Sequence, residues 1–317
     1  MVSDAARDMA MRNYRDAARQ QRIRATYRDM YRNQTVEYVR AMKARYRRFE
    51  CVRGLWSVVR ELDTIYDDSD PDTELPQSAH AYQTAEALRS RFVCTDSDGH
   101  ARLRPIPVRT LFADHEWAGL TPERRAQYST TLDAMYADLD CAEALPLIGF
   151  LHDVGKIMLH EDFGALPQWS VVGDSFPVGA KLCADAVFAD EDYHHENAGL
   201  QEDTYAPECG FDAMHFSWGH DEYMASVLEH NRARVPPELV YLVRYHSFYP
   251  WHTPRDAAPR GYTRFASARD WHLLPLLKMF QSADLYSKAG PTVDSSVAEH
   301  YENLLHTYLP TFASLKW

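Results

Sequence analysis

The chain has 317 residues, 45% of them hydrophobic, enough to bury a substantial core in one large domain or two small ones. Aromatic residues at 12% exclude a disordered chain. The formal charge of -12, from 34 basic and 46 acidic residues, argues against a nucleic-acid partner, which needs a basic footprint.

Helical periodicity dominates from the start. Residues from about Ala10 to Arg48 read as one or two helices, broken near Asn33. Arginines crowd this stretch (Arg12, Arg15, Arg19, Arg22, Arg24, Arg28, Arg32), but Asp16, Asp29 and Glu37 interleave with them, so the pattern is a solvated helix face. Gly54 to Tyr66 predicts another helix, with Leu55, Val58, Val59 and Leu62 on one stripe. Asp67 to Asp72 is a turn signal, and helix resumes from Ala79 to Phe92. Between Cys94 and about Tyr128, Asp96-Ser97-Asp98-Gly99 and Arg104-Pro105-Ile106-Pro107 are loop-like. Helices are expected over Pro122 to Leu139 and Ala142 to Leu159. Pro167 to Gln201, rich in Gly, Asp and Pro, is expected to run as long loops over the surface. Further helices are expected at Gly219 to Asn231, Pro236 to His246, Trp271 to Tyr286 and Val297 to Tyr308, the second opened by a proline and Glu238. Strand signals are few and short. The expected fold is therefore all-α, a single domain over 1-317 with long functional loops.

No apolar run reaches the roughly 20 residues that a spanning helix needs. No apolar signal core follows Met1, and the odd set Cys51, Cys94, Cys141, Cys183 and Cys209 contains no Cys-x-x-Cys pair. These features point to free thiols in a reducing cytoplasm and to no membrane span.

The chemistry begins at Gly149-Phe150-Leu151-His152-Asp153-Val154-Gly155-Lys156. A His-Asp pair inside an apolar helix is costly unless something partners both groups. A divalent metal does so, and the carboxylate keeps a second oxygen to bridge another ion. The bland alternative is a buried ion pair with Lys156, four residues after His152. Further ligand types stand near helix ends at His80, His220 and His246, and Asp284 sits between Ala283 and Leu285 in an apolar helix. Four histidines and two aspartates exceed one tetrahedral site. They fit two six-coordinate ions that share a carboxylate, with iron or manganese suited by the donor types and zinc not excluded by them.

The order His, His-Asp, His, His, Asp resembles the HD-domain superfamily, which implies an HD-domain-like helical bundle. Longer strings are more specific: Ser69-Asp70-Pro71-Asp72, His80-Ala81-Tyr82-Gln83-Thr84-Ala85-Glu86, Leu151-His152-Asp153-Val154-Gly155-Lys156, the run from Pro167 to Pro177, Ser217-Trp218-Gly219-His220-Asp221-Glu222-Tyr223, and His246-Ser247-Phe248-Tyr249-Pro250-Trp251-His252. Together they resemble the myo-inositol oxygenase family from about Arg12 to Trp317. The resemblance implies a mixed-valent Fe(II)/Fe(III) pair bridged by Asp153, one iron taking His80, His152 and Asp284 and the other His220 and His246. It implies substrate contacts from Arg12, Asp67, Asp68, Ser69, Lys156, Gly173, Asp174, His246 and Ser247, with Lys156 and Asp153 in catalytic roles. The implied reaction uses O2 to cleave myo-inositol between carbons 1 and 6, giving D-glucuronate. It needs no nicotinamide or flavin, which agrees with the lack of a Gly-x-Gly-x-x-Gly fingerprint. A monomer is the family default, and the charge and the lack of a long apolar run point to no nucleic-acid or membrane partner.

One departure stands out. Between His80 and His152 lie 71 residues, far more than the animal members of the family place there, so residues 94-139 are expected to form a surface insertion, tolerated if its ends stay close. Two competing readings are a phosphohydrolase of the same superfamily and a di-iron oxygenase for another polyol. The acids Asp67, Asp68 and Asp174 favour a neutral polyol over a phosphate ester. A third, a binding protein without metals, conflicts with the filled ligand positions. Among lesser candidates, His194-His195 reads as an exposed loop, Asp67 to Asp72 matches a calcium loop in composition only, and His252 as a structural hydrogen-bonding residue.

Overall fold

A computed structural model describes residues 17–69, 76–139, 142–189, 204–254, 261–286 and 295–317. Arg12, Asp70 to Asp72, Cys141 and His194-His195 lie outside these residues.

The helices follow the expected order. The first two, α1 (Ala17–Asn33) and α2 (Val36–Tyr46), part beside Asn33, where the Thr35 side chain caps α2 by accepting from the Tyr38 amide. Helix α3 (Leu55–Leu62) buries the stripe Leu55, Val58, Val59 and Leu62. Helix α4 (Gln77–Phe92) follows, then three short helices, α5 (Asp114–Ala118), α6 (Pro122–Gln127) and α7 (Leu132–Met135). Helix α8 (Leu145–Leu151) is buried at every position. It is followed by a 3-10 segment (Val154–Leu159), α9 (His220–His230), α10 (Pro237–Tyr245), α11 (Tyr249–His252), α12 (Ala268–Tyr286) and α13 (Ser295–Tyr308). Among the described residues, strands are confined to two antiparallel pairs. Strand β1 (Val52–Arg53) pairs with β4 (Leu315–Lys316) through Val52↔Lys316 and Arg53↔Leu315, and β2 (Val93–Thr95) pairs with β3 (Ala101–Leu103) through Val93↔Leu103. The fold is thus all-α in class. No helix among the described residues is long and apolar enough to cross a membrane.

The buried apolar side chains form one connected cluster. Helix α4 packs along α8 and α12, and α9 lies on α10 and on the 3-10 segment. Two glycines allow the closest approaches. A Cβ on Gly149 would stand 2.6 Å from Leu88 Cδ1 and 3.1 Å from Ala85 Cα, so α8 and α4 meet backbone to side chain there. A Cβ on Gly155 would fall 2.0 Å from the His220 carbonyl oxygen, so only glycine lets the 3-10 segment touch the start of α9.

Three expectations need correction. The helix expected over 142–159 ends at Leu151, and His152 and Asp153 form the junction with the 3-10 segment. The tighter winding brings residues three apart into line, and the Lys156 amide accordingly bonds the Asp153 carbonyl. The helix expected over 122–139 is two short pieces, because the turn at Ser129-Thr130-Thr131 ends one and starts the next. The stretch from 167 to 189 is irregular as expected but is not a surface loop. Val171, Val172, Phe176, Val178 and Val187 are buried, and its backbone is satisfied from inside by bonds such as Val178 N to His215 O and Ser175 N to Ser247 O.

Residues 94–139 carry their own buried face. Val108, Phe112, Leu120, Tyr128 and Leu132 are buried, and Tyr128 and Tyr136 donate their hydroxyls to the carbonyls of Trp271 and His272 at the start of α12.

Candidate metal centre

The expected ligands come from separate elements and meet at one point. His80 stands on the first turn of α4, His152 and Asp153 at the α8 junction, His220 at the first position of α9, His246 just past α10, and Asp284 near the end of α12. All are buried except His80, which is nearly so.

The hydrogen bonds fix which ring nitrogens point inward. Nδ1 of His152, His220 and His246 lies 2.7, 2.7 and 2.8 Å from the carbonyl oxygens of Gly149, Val171 and Val243. A carbonyl only accepts, so each Nδ1 carries a proton, and a ring neutral in this tautomer turns a bare Nε2 lone pair inward. His220 Nε2 and His246 Nε2 are only 3.1 Å apart. Two facing lone pairs need a cation or a proton between them. His152 Nε2 is buried and makes no hydrogen bond among the described residues. Asp284 Oδ1 lies 3.3 Å from it, but in this tautomer neither atom has a proton to share.

Asp153 sits between two groups of donors. Its Oδ1 is 3.2 Å from His220 Nε2 and 3.4 Å from His246 Nε2. Its Oδ2 is 3.6 Å from both His80 Nε2 and His152 Nε2. Asp284 Oδ1 joins the second group, 2.9 Å from His80 Nε2. His80, His152 and Asp153 therefore form one candidate metal site and Asp153, His220 and His246 another, with the ligand atoms of each within 4.8 Å of one another. The orphaned His152 nitrogen, the facing lone pairs and the nitrogen-and-carboxylate donor set without thiolate all fit bound divalent metal, with iron, manganese or zinc compatible.

The charges are arranged to keep the carboxylates ionised. Burial would raise the pKa of Asp153, but the Lys156 ammonium beside it opposes burial, and the carboxyl lies well below the usual carboxylate range. Burial would raise Asp284 as well, but His80 Nε2, 2.9 Å from its Oδ1, favours the ionised form, and the carboxyl is depressed. Lys156 Nζ lies 2.8 Å from Asp153 Oδ2 and 2.9 Å from Asp67 Oδ2. Burial disfavours its charge, yet the two carboxylates raise its pKa, so the ammonium persists. Lys156 thus reaches Asp153 from three residues away along the 3-10 segment, rather than from one helical turn beyond His152.

The residues expected to contact substrate are distributed unevenly. Asp67 is tied to the centre through Lys156, and its Oδ1 accepts from both the amide and the hydroxyl of Ser69. Asp68 turns outward, 3.8 Å from Arg22 Nη1, while its amide donates to Gln168 Oε1. Asp174 Oδ1 accepts from the Tyr27 hydroxyl. Gly173 takes a φ of +98° beside Met30 and Tyr27, and the next residue but one, Ser175, bonds Ser247 through the backbone. Ser247 Oγ donates to Asp221 Oδ2 at 2.6 Å. Arg12 lies outside the described residues.

Sequence reasoning missed three supporting residues. Gln281 Nε2 donates to Tyr249 Oη at 2.7 Å and reaches Asp284 Oδ2 at 3.3 Å, steadying the oxygen that the histidines leave free. Its spacing, three residues before Asp284 on a helix, was a usable signal. Asp221 stands inside one of the quoted strings but beside a stronger candidate, His220. Gln168 grips the turn at Tyr66 and Asp68, a contact 100 residues distant that no local pattern reveals. His252 makes the structural bond expected of it, Nε2 lying 2.8 Å from the His246 carbonyl oxygen.

Comparison with known proteins agrees with this geometry. A family model described as myo-inositol oxygenase matches residues 20–98 and 124–317. An inositol oxygenase from Homo sapiens is 35% identical over 98% of this chain and 93% of its own length. A probable inositol oxygenase from Oryza sativa subsp. japonica is 33% identical over 97% of this chain and 85% of its own. An inositol oxygenase from Dictyostelium discoideum is 32% identical over 96% and 89%. With the family match running through every proposed ligand, the chain belongs to the myo-inositol oxygenase family.

Proposed function

We propose that this chain is an inositol oxygenase, which uses O2 and a two-metal centre, with iron as the metal, to cleave the ring of myo-inositol between carbons 1 and 6 to D-glucuronate. The observation that carries the reading is Asp153, whose two oxygens each face a separate group of histidines, in a chain that matches inositol oxygenases over nearly its whole length.

On this reading His80, His152 and Asp284 would hold one iron, His220 and His246 the other, and Asp153 would contribute to both. Bound iron would supply Lewis acidity toward a chelated diol and the redox capacity for O2 chemistry. The chain's own residues do the rest. Lys156 places a buried positive charge between Asp153 and the Asp67–Ser69 turn, where it favours the alkoxide form of a substrate hydroxyl over the neutral one. Asp67, Ser69, Asp174 and Ser247, together with Arg12, Asp68 and the Gly173 backbone, supply acceptors and donors for the remaining hydroxyls of a cyclitol, each of which needs a partner once buried. Asp221, by accepting from Ser247 Oγ, sets that hydroxyl's direction.

The test is anaerobic loading with iron, partial oxidation, then addition of myo-inositol and O2. Glucuronate should appear in proportion to O2 consumed. Loaded protein that consumes no O2 but releases phosphate from esters would instead establish a hydrolase.

A further inference from the structure

The family match omits residues 99–123, yet this segment carries one side of a deeply buried ion pair. Glu116, on α5, places Oε1 and Oε2 at 2.8 and 3.0 Å from Lys278 Nζ on α12. Both side chains are more than nine-tenths buried. Phe112, from the same segment, offers its ring face 5.2 Å from Nζ. A lysine so placed in a helix interior keeps its charge only with such partners.

Lys278 has a third partner, and it leads toward the metal centre. Nζ donates to the His252 carbonyl at 2.7 Å. His252 is fully buried, and its Nε2 lies 2.8 Å from the His246 carbonyl oxygen. That oxygen only accepts, so Nε2 carries the proton and Nδ1 takes the Thr253 hydroxyl, 2.9 Å away. The His246 carbonyl is one of the orphan acceptors that a helix leaves past its last turn, here that of α10. His246 is therefore held at two points, by Val243 through its ring and by His252 through its backbone.

We propose that Glu116 is a positioning residue for the His246 side of the metal centre, acting through Lys278 and His252. The inference rests on the metal-centre reading given above. Glu116 neutralises Lys278, Lys278 fixes the His252 backbone, and His252 fixes the His246 backbone. The segment outside the family match is thereby part of the scaffold of the centre, although it lends no ligand.

The full chain is compared as wild type, Glu116→Gln, Glu116→Gln/Lys278→Met and Tyr136→Phe. The last removes a contact that α12 receives from a residue just beyond this segment without touching the relay. Anaerobic Fe(II) titration is read beside thermal melting of the metal-free protein. Wild type should bind two irons. Glu116→Gln should melt lower and bind one of the two about tenfold or more weakly, the usual scale for loss of an outer-shell support. The double variant has no unpaired buried charge, so its melting should recover while its second iron stays weak, because the His252 anchor is still missing. Tyr136→Phe should bind both irons normally. If iron affinity recovers in step with melting in the double variant, or Glu116→Gln binds both irons like wild type, the proposal is overturned. If Glu116→Gln does not fold, the double variant alone decides by the same comparison. Wild type that binds no iron pair would overturn the metal-centre reading itself, a result distinct from either of the others.

Discussion

Lys156→Met probes the balance of charge at the centre. In the metal-free protein the ammonium lies 2.8 and 2.9 Å from two buried carboxylates, those of Asp153 and Asp67. At an effective dielectric constant of about 20, each contact is roughly 6 kcal/mol of attraction, much of it offset by desolvation. Removing one partner of a buried pair costs about 3–5 kcal/mol, because the other charge is left alone. For a chain of this size that is a loss of roughly 5–8 °C in melting temperature. Bound metal changes the sum. Asp153 then faces cations with both oxygens and needs Lys156 less, so the loss should fall to half or below. By linkage, a substitution that destabilises the metal-free state more than the loaded one strengthens metal binding by the difference. Lys156→Met should therefore keep both metals, at no lower affinity, while turnover falls about 100-fold or more, the scale for losing one electrostatic stabiliser. The assay is melting with and without Fe(II) under nitrogen, alongside iron content and glucuronate formation. An equal loss in both states, or loss of iron from the variant, would refute the assignment.

Three other outcomes follow from the same geometry. Asp153→Ala should release both irons, as metal analysis after desalting will report, because both ligand groups lose their shared oxygen donor. Gly155→Ala should cost several kcal/mol or fail to fold, since its methyl would stand 2.0 Å from the His220 carbonyl oxygen, which is backbone and cannot swing aside; expression and melting will show this. Glu222 is buried against Arg244, Lys43 and Arg47, which together overcome the effect of burial and depress its carboxyl. A depressed carboxyl contributes stability above its unfolded pKa and loses it as pH falls through the folded value. Glu222→Gln should therefore be less stable than wild type at pH 7 by about 3–5 kcal/mol, with the gap closing as pH falls below about 4, measured by denaturant unfolding across pH.

Much of this centre was legible in the chain. His152-Asp153 within apolar neighbours pointed to a metal because an unpartnered pair there is costly, and the search for partners led to His80, His220, His246 and Asp284, which the fold brings together. The backbone at that point was less legible. Ala142 to Leu159 has helical periodicity, but the contact between Gly155 and His220 is tertiary, and it is what accompanies the change to 3-10 winding after Asp153. The stretch after Pro167 looked solvent-exposed by composition. Its polar backbone is instead satisfied by His215, Ser217 and His220, residues distant in sequence. Glu116 and Lys278 were illegible for the same reason. Each is an ordinary charged residue on a helix, and only packing reveals that they are buried together.

The central claim is that two irons share Asp153. Electron paramagnetic resonance of the half-oxidised, iron-loaded protein tests it most directly. A bridged Fe(II)/Fe(III) pair should give the signal of two coupled spins, altered on addition of myo-inositol and absent in Asp153→Ala. A spectrum containing only isolated high-spin Fe(III) would contradict it.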